Sequence, residues 1–161
     1  MSEETPTGYM ERTRLYYRAL GYGSDYVWSH YDDVPFARLA KPLAESRIAL
    51  VSTSSPPDRR NRDDKGVKHV WSLPSDAPPD RLLTHDLAWD KDTTHTRDRE
   101  SFLPVHAAQA LAREGLFAGL TPSFHGIPTE YSHRKTIEED APELVQRLRD
   151  ERADGVLLFP I

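Results

Sequence analysis

Arg47-Ile48-Ala49-Leu50-Val51-Ser52-Thr53 is a short, β-branched, apolar run that Ser54-Ser55-Pro56-Pro57 breaks off. A run of that length, closed by proline and small hydroxyl residues, reads as a strand. A second apolar run, Gly155-Val156-Leu157-Leu158-Phe159-Pro160-Ile161, reads as another, buried and central. Open α/β sheets bind ligands beyond the carboxyl ends of their strands, so Ser52 and Thr53 stand where chemistry is expected. The position following Ile161 stands there too, and the run has the look of a core strand cut at an active site rather than of a frayed polar tail.

Between these runs lie two helices. Pro104 opens the first, which carries Val105, Ala108, Leu111 and Ala112 on one face and closes at Gly115. Leu116 to Leu120 follows as a short apolar strand candidate. Asp140-Ala141-Pro142-Glu143 signals the second helix, with a capping carboxylate and proline in the first turn, and its apolar face is Ala141, Leu144, Val145 and Leu148. The order strand, insert, helix, short strand, helix, strand predicts an α/β fold: a partial, open, mostly parallel sheet with flanking helices. Residues 52–100 form a long irregular insert, apart from the alternating piece Val67-Lys68-His69-Val70-Trp71; such segments are more often lids or binding loops than filler. Residues 1–36 form an aromatic-rich N-terminal helical arm. Tyr9, Thr13, Tyr16, Tyr17 and Leu20 recur there at helical spacing before Gly21, a left-handed C-cap candidate, and Tyr22, Tyr26, Trp28, Tyr31 and Phe36 follow. The arm either folds over its own core or buries its rings against a partner.

The 161 residues suit a single domain, or part of one, with a small core, because hydrophobic residues are 37% and prolines number 13. A net charge of −5 gives no reason to expect nucleic acid as a partner. The one basic cluster, Arg59, Arg60, Arg62, Lys65 and Lys68, is interleaved with Asp58, Asp63 and Asp64, which reads as a solvated loop. No apolar stretch reaches the roughly 20 residues that span a bilayer, and the N-terminus has no cationic or apolar signal region, so a cytoplasmic protein without a membrane partner is expected. Cysteine is absent, which excludes disulfides and thiolate metal sites within these residues.

Two histidines, His85 and His95, bracket a stretch rich in acids and hydroxyls that also holds Asp86, Arg97 and Arg99. Imidazoles beside carboxylates can move protons or bind metal, and arginine forks can clamp a carboxylate. The spacing fits no standard zinc pattern, so no metal ligand is assigned; a loop positioning a polar substrate or partner and plain surface both stay open. His125, with Glu130 or Ser132 as partner, is a third candidate facing the same crevice. Ser52, Thr53, His85, His95 and His125 are thus the substrate-pocket candidates. The chain has no G-x-G-x-x-G, Walker, G-x-S-x-G or H-E-x-x-H motif.

Three segments, Pro42 to Thr53, His85 to Phe102 with Asp98-Arg99, and Ile137 to Ile161, resemble the selenoprotein B component of glycine, sarcosine, betaine and D-proline reductases and its stand-alone relatives. In that family the last segment runs directly into a U-x-x-C or C-x-x-C motif. The resemblance implies an oxidoreductase that cleaves a C–N bond of a small amino acid or methylated amine. Its nucleophile would be a selenocysteine or cysteine immediately after Ile161, its substrate an adduct on a pyruvoyl-bearing partner subunit, and its reductant a dithiol such as thioredoxin. A selenocysteine codon read as stop would end the chain at Ile161, leaving it without any catalytic residue, without cofactor of its own, and inactive alone. The loops Trp71 to Pro79 and His125 to His133 depart from the glycine reductase pattern, which points to the stand-alone relatives. Two other readings remain: a non-catalytic binding module gripping a partner through the arm and the insert, and a metal-dependent hydrolase using His85, Asp86 and His95.

Overall fold

β1 (Arg47–Ser52) is the strand on which the rest is assembled, and five of its six residues are buried. The computed structural model describes residues 8–25, 27, 29–35, 37–87, 93–129 and 132–161. The chain divides into two units, Met1–Ala37 and Arg38–Ile161. The second holds a five-stranded, mostly parallel sheet with helices, an α/β arrangement as the order of elements predicts.

β2 (Trp71–Pro74), β3 (Gly119–Leu120), β4 (Ser123–Gly126) and β5 (Gly155–Phe159) complete the sheet. β5 pairs in parallel along the whole of one edge of β1, from Ile48↔Gly155 to Ser52↔Phe159. The opposite edge is therefore shared by β3 and β4, also parallel, through Ile48↔Leu120 and Val51↔His125. The partner chain takes two extra residues between those pairs, around Thr121-Pro122, where proline has no N–H to give the ladder. β2 runs antiparallel to β4, Trp71 opposite Gly126.

Alternate residues of β1 feed two cores. Ile48 and Leu50 pack with Trp71, Leu103, Phe124 and the α2 (Val105–Arg113) residues Val105 and Ala108. Val51 packs with Val70 and Leu144 of α4 (Ala141–Asp150), flanked by Leu148. Helices thus cover both faces. Gly115, at φ +84, takes the left-handed position that ends α2.

Four details differ from the sequence reading. The insert contains β2, which starts at Trp71 where the alternating piece ends, and the bridge Ser55↔Leu83. Asp140 does not cap a helix: its carboxylate accepts from Lys135 Nζ at 2.6 Å. The helix instead starts about two turns earlier with α3 (His133–Lys135), where Ser132 Oγ accepts from Lys135 N at 3.3 Å. A π-helical turn, Thr136–Asp140, then leads into Pro142, which lacks the N–H a regular helix would use. Finally, β5 is an edge strand and not a central one. Val156, Leu157 and Leu158 are exposed, Leu158 by 69%, because apolar composition does not dictate which edge of β1 is covered.

In the first unit, α1 (Tyr9–Ala19) buries none of its residues and ends at Gly21 with φ +86. Arg18 grips Asp25 through Nε and Nη2, and Tyr17 meets Tyr16 and Tyr22 edge to face. Tyr26, Trp28 and Phe36 of the expected aromatic arm lie outside the described residues. No helix among the described residues is long and apolar enough to cross a membrane.

Candidate functional site

The carboxyl end of β1 turns on its own hydroxyls. Ser52 is 1% exposed; its Oγ lies 3.0 Å from Ser54 Oγ and accepts from Ser54 N at 3.2 Å, so it shapes the turn rather than facing a ligand. Thr53 reaches across to β5: Thr53 Oγ1 accepts from Ile161 N at 3.0 Å. Thr129 Oγ1 donates to Thr53 O at 3.1 Å. The ends of the paired strands β1 and β5 are held together by this hydroxyl.

Ser55 N donates to Leu83 O and Leu83 N to Ser55 O, both at 2.8 Å, which attaches residues 81–85 just beyond the end of β1. There the chain forms an open concavity of about 330 Å³ lined by Arg81, Leu82, Leu83, Thr84, His85, Thr94, His95, Thr96 and Arg97. Thr84 Oγ1 and Thr96 Oγ1, 2.5 Å apart, join its two walls. His85 and His95, predicted as pocket residues, both line it. Arg97 does as well, whereas Arg99 does not: it is 3% exposed and donates to Pro79 O at 2.8 Å and Leu103 O at 3.1 Å, while pairing with Glu100. A buried guanidinium satisfied by carbonyls is a tie between loops, not a substrate clamp.

His85 is placed by a charged network. Its Nε2 lies 2.7 Å from Arg59 Nη2 and 3.0 Å from Asp86 Oδ1. Nε2 thus sits between a guanidinium donor and a carboxylate acceptor. Asp86 pairs with Arg62 and, at 3.4 Å, with Lys68. Burial pushes the Asp86 carboxyl up, but Lys68, His85 and Arg62 outweigh it and hold it below the usual carboxylate range. Asp86 is committed to these cations, and no group of three or more His, Cys, Asp or Glu that could hold a metal is found among the described residues.

His125 is not in the concavity. It is fully buried on β4, beneath α4. Arg147 Nη1 donates to Ser72 Oγ at 2.8 Å, and Ser72 Oγ lies 2.8 Å from His125 Nδ1. The serine hydroxyl thus ties the guanidinium to one ring nitrogen, and the other ring nitrogen is Nε2. That atom faces Glu151 Oε2 at 3.6 Å, too far for a hydrogen bond, and is otherwise unpartnered. Burial pushes the His125 pKa below its ordinary value; Glu151 pulls upward and Arg147 adds to the lowering. Glu130, suggested as its partner, lies outside the described residues, and Ser132 caps α3 instead.

Arg81, Thr84 and Thr96 are among the lining residues the sequence did not single out. Their signal was available only as pairing: two segments separated by the 88–92 stretch meet through threonine hydroxyls, which no local pattern announces. Comparison with protein-family models, with curated proteins and with solved structures finds no match to this chain.

Proposed function

We propose that the chain is a component of a selenol- or thiol-dependent reductase of the glycine, sarcosine, betaine and D-proline reductase type. The observation that carries this reading is the Thr53 to Ile161 clasp. Two of the segments that resemble the family, Pro42 to Thr53 and Ile137 to Ile161, supply the neighbouring parallel strands β1 and β5. A nucleophile in the position following Ile161 would stand at the carboxyl end of that pair, where open α/β sheets do their chemistry. The third segment supplies His95 and, with the Ser55 bridge, sets His85 beside the same end of β1.

In this reading a selenolate or thiolate attacks the carbon bearing the amino group and the protonated amine leaves; the thiolate of the x-x-Cys position then attacks the selenium or sulfur, so that the carbon departs with the electron pair and takes up a proton, and a dithiol reduces the resulting Se–S or S–S bond while becoming a disulfide. The chain itself has no cysteine, so the nucleophile, like the pyruvoyl group of the partner subunit, comes from outside these residues. The test is to sequence the gene past the Ile161 codon and assay the protein encoded by any continuing frame. A UGA followed by a frame encoding x-x-Cys, together with dithiol-dependent amine release, supports the proposal. A UAA or UAG codon, or no coding frame, refutes it. A second reading, a binding module, is favoured by α1, whose Tyr9 and Tyr16 are 76% and 61% exposed.

A further inference from the structure

Arg81 and Arg97 stand apart from the other arginines of their surroundings. Arg59 bonds His85, Arg60 and Arg62 pair with Asp58 and Asp86, and Arg99 is buried against carbonyls and Glu100. Among the described residues Arg81 and Arg97 have no ion pair or hydrogen bond, in a chain where acids outnumber Lys and Arg by 26 to 21. Both line the concavity, one from each of the two segments that the Thr84 and Thr96 contact joins. His95 lines it beside them, and the Leu83 side chain supplies an apolar surface.

We infer that this concavity binds a small organic anion carrying two negative charges, one for each unpaired guanidinium. Each fork can donate two parallel hydrogen bonds to an oxyanion, and the threonine hydroxyls add donors without charge. A single carboxylate neutralises only one of the two arginines. A dicarboxylate and a phosphomonoester both supply the required charge, and about 330 Å³ accommodates either with a short carbon body against Leu83. The inference stands on the donors of the concavity and is independent of the reductase reading.

The experiment is isothermal titration calorimetry of the 161-residue chain at low salt with succinate, glycerol phosphate and, as a monoanion, acetate. Saturable binding of at least one dianion, about tenfold or more tighter than acetate, is expected, with a further loss of about tenfold in Arg81→Ala and in Arg97→Ala. Both side chains are exposed, so circular dichroism should stay unchanged, and Arg113→Ala on α2 should bind like the parent. Preference between succinate and glycerol phosphate assigns the source of the charge. Absence of saturable dianion binding, acetate binding as tightly as the dianions, or the Arg81 and Arg97 variants binding no more weakly than Arg113→Ala would each overturn the inference.

Discussion

Gly126→Ala tests the packing that supports the carboxyl end of β1. A Cβ at Gly126 would lie 1.9 Å from Trp71 Cε2, 2.0 Å from Nε1 and 2.3 Å from Cζ2. Gly126 is not among the residues with positive φ, so without the ring alanine would be neutral or stabilising. With the ring, the indole must move. Trp71 is 3% exposed, packs edge to face on Phe124 with centroids 5.7 Å apart, and donates from Nε1 to Ser54 O at 3.1 Å. Overpacking costs about 1–3 kcal/mol and stranding the buried Ser54 carbonyl about 1–3 kcal/mol more, giving a loss of about 2–6 kcal/mol. Urea unfolding followed by circular dichroism measures it, and the Trp71 indole N–H resonance reports the hydrogen bond directly. A loss below about 1 kcal/mol with that resonance unmoved would refute the reasoning.

Arg99→Ala is expected to destabilise by about 3 kcal/mol, since it leaves two carbonyls without their donor at a site 3% exposed and removes the cation beside Glu100, and Arg99→Lys should not rescue it because the ammonium cannot reach Pro79 O and Leu103 O together; equal urea midpoints for parent and variants would contradict this. His125 makes stability depend on pH. Its ordinary pKa of 6.5 is lowered in the fold, so above pH 6.5 the ring is neutral in both states, and below it the unfolded chain takes up a proton that the fold refuses. Stability therefore falls as pH drops from 6.5 toward the lowered value, by at most about 1.4 kcal/mol per pH unit for one proton. Unfolding free energies of the parent and His125→Gln between pH 5 and 7.5 check it, and parallel profiles would sink the assignment.

β1 was legible because its apolar run and its hydroxyl and proline stop are local, and α2 because Pro104 and Gly115 bracket it. The α4 region was legible as a helix but not as to its start, since Ser132 and the π-helical turn compete with Asp140 for that role and only Lys135 decides between them. β4 was hidden: Ser123-Phe124-His125-Gly126 has a polar residue on each side of one phenylalanine, and it becomes a strand through Val51, Ser52 and Trp71, all distant in sequence. For the same reason His125 looked like a loop residue, when its surroundings are Ser72, Arg147 and Glu151 from β2, α4 and the residue beyond it. At the concavity the histidines were visible as residue types, but Arg81 and Arg97 become a pair only once threonine hydroxyls join their segments.

The placement of β1 also orders events in time. Arg47 pairs with Gly119 and Ile48 with Gly155, so neither neighbour exists when the central strand leaves the ribosome. At 5–20 residues per second the apolar segment Ile48 to Val51 waits roughly 5–20 s for β5, with both ladder edges open for much of that interval. Closing loops of that length before any ladder bond forms makes folding slow, and it makes the nascent chain a client for whatever binds unpaired strands in the cell.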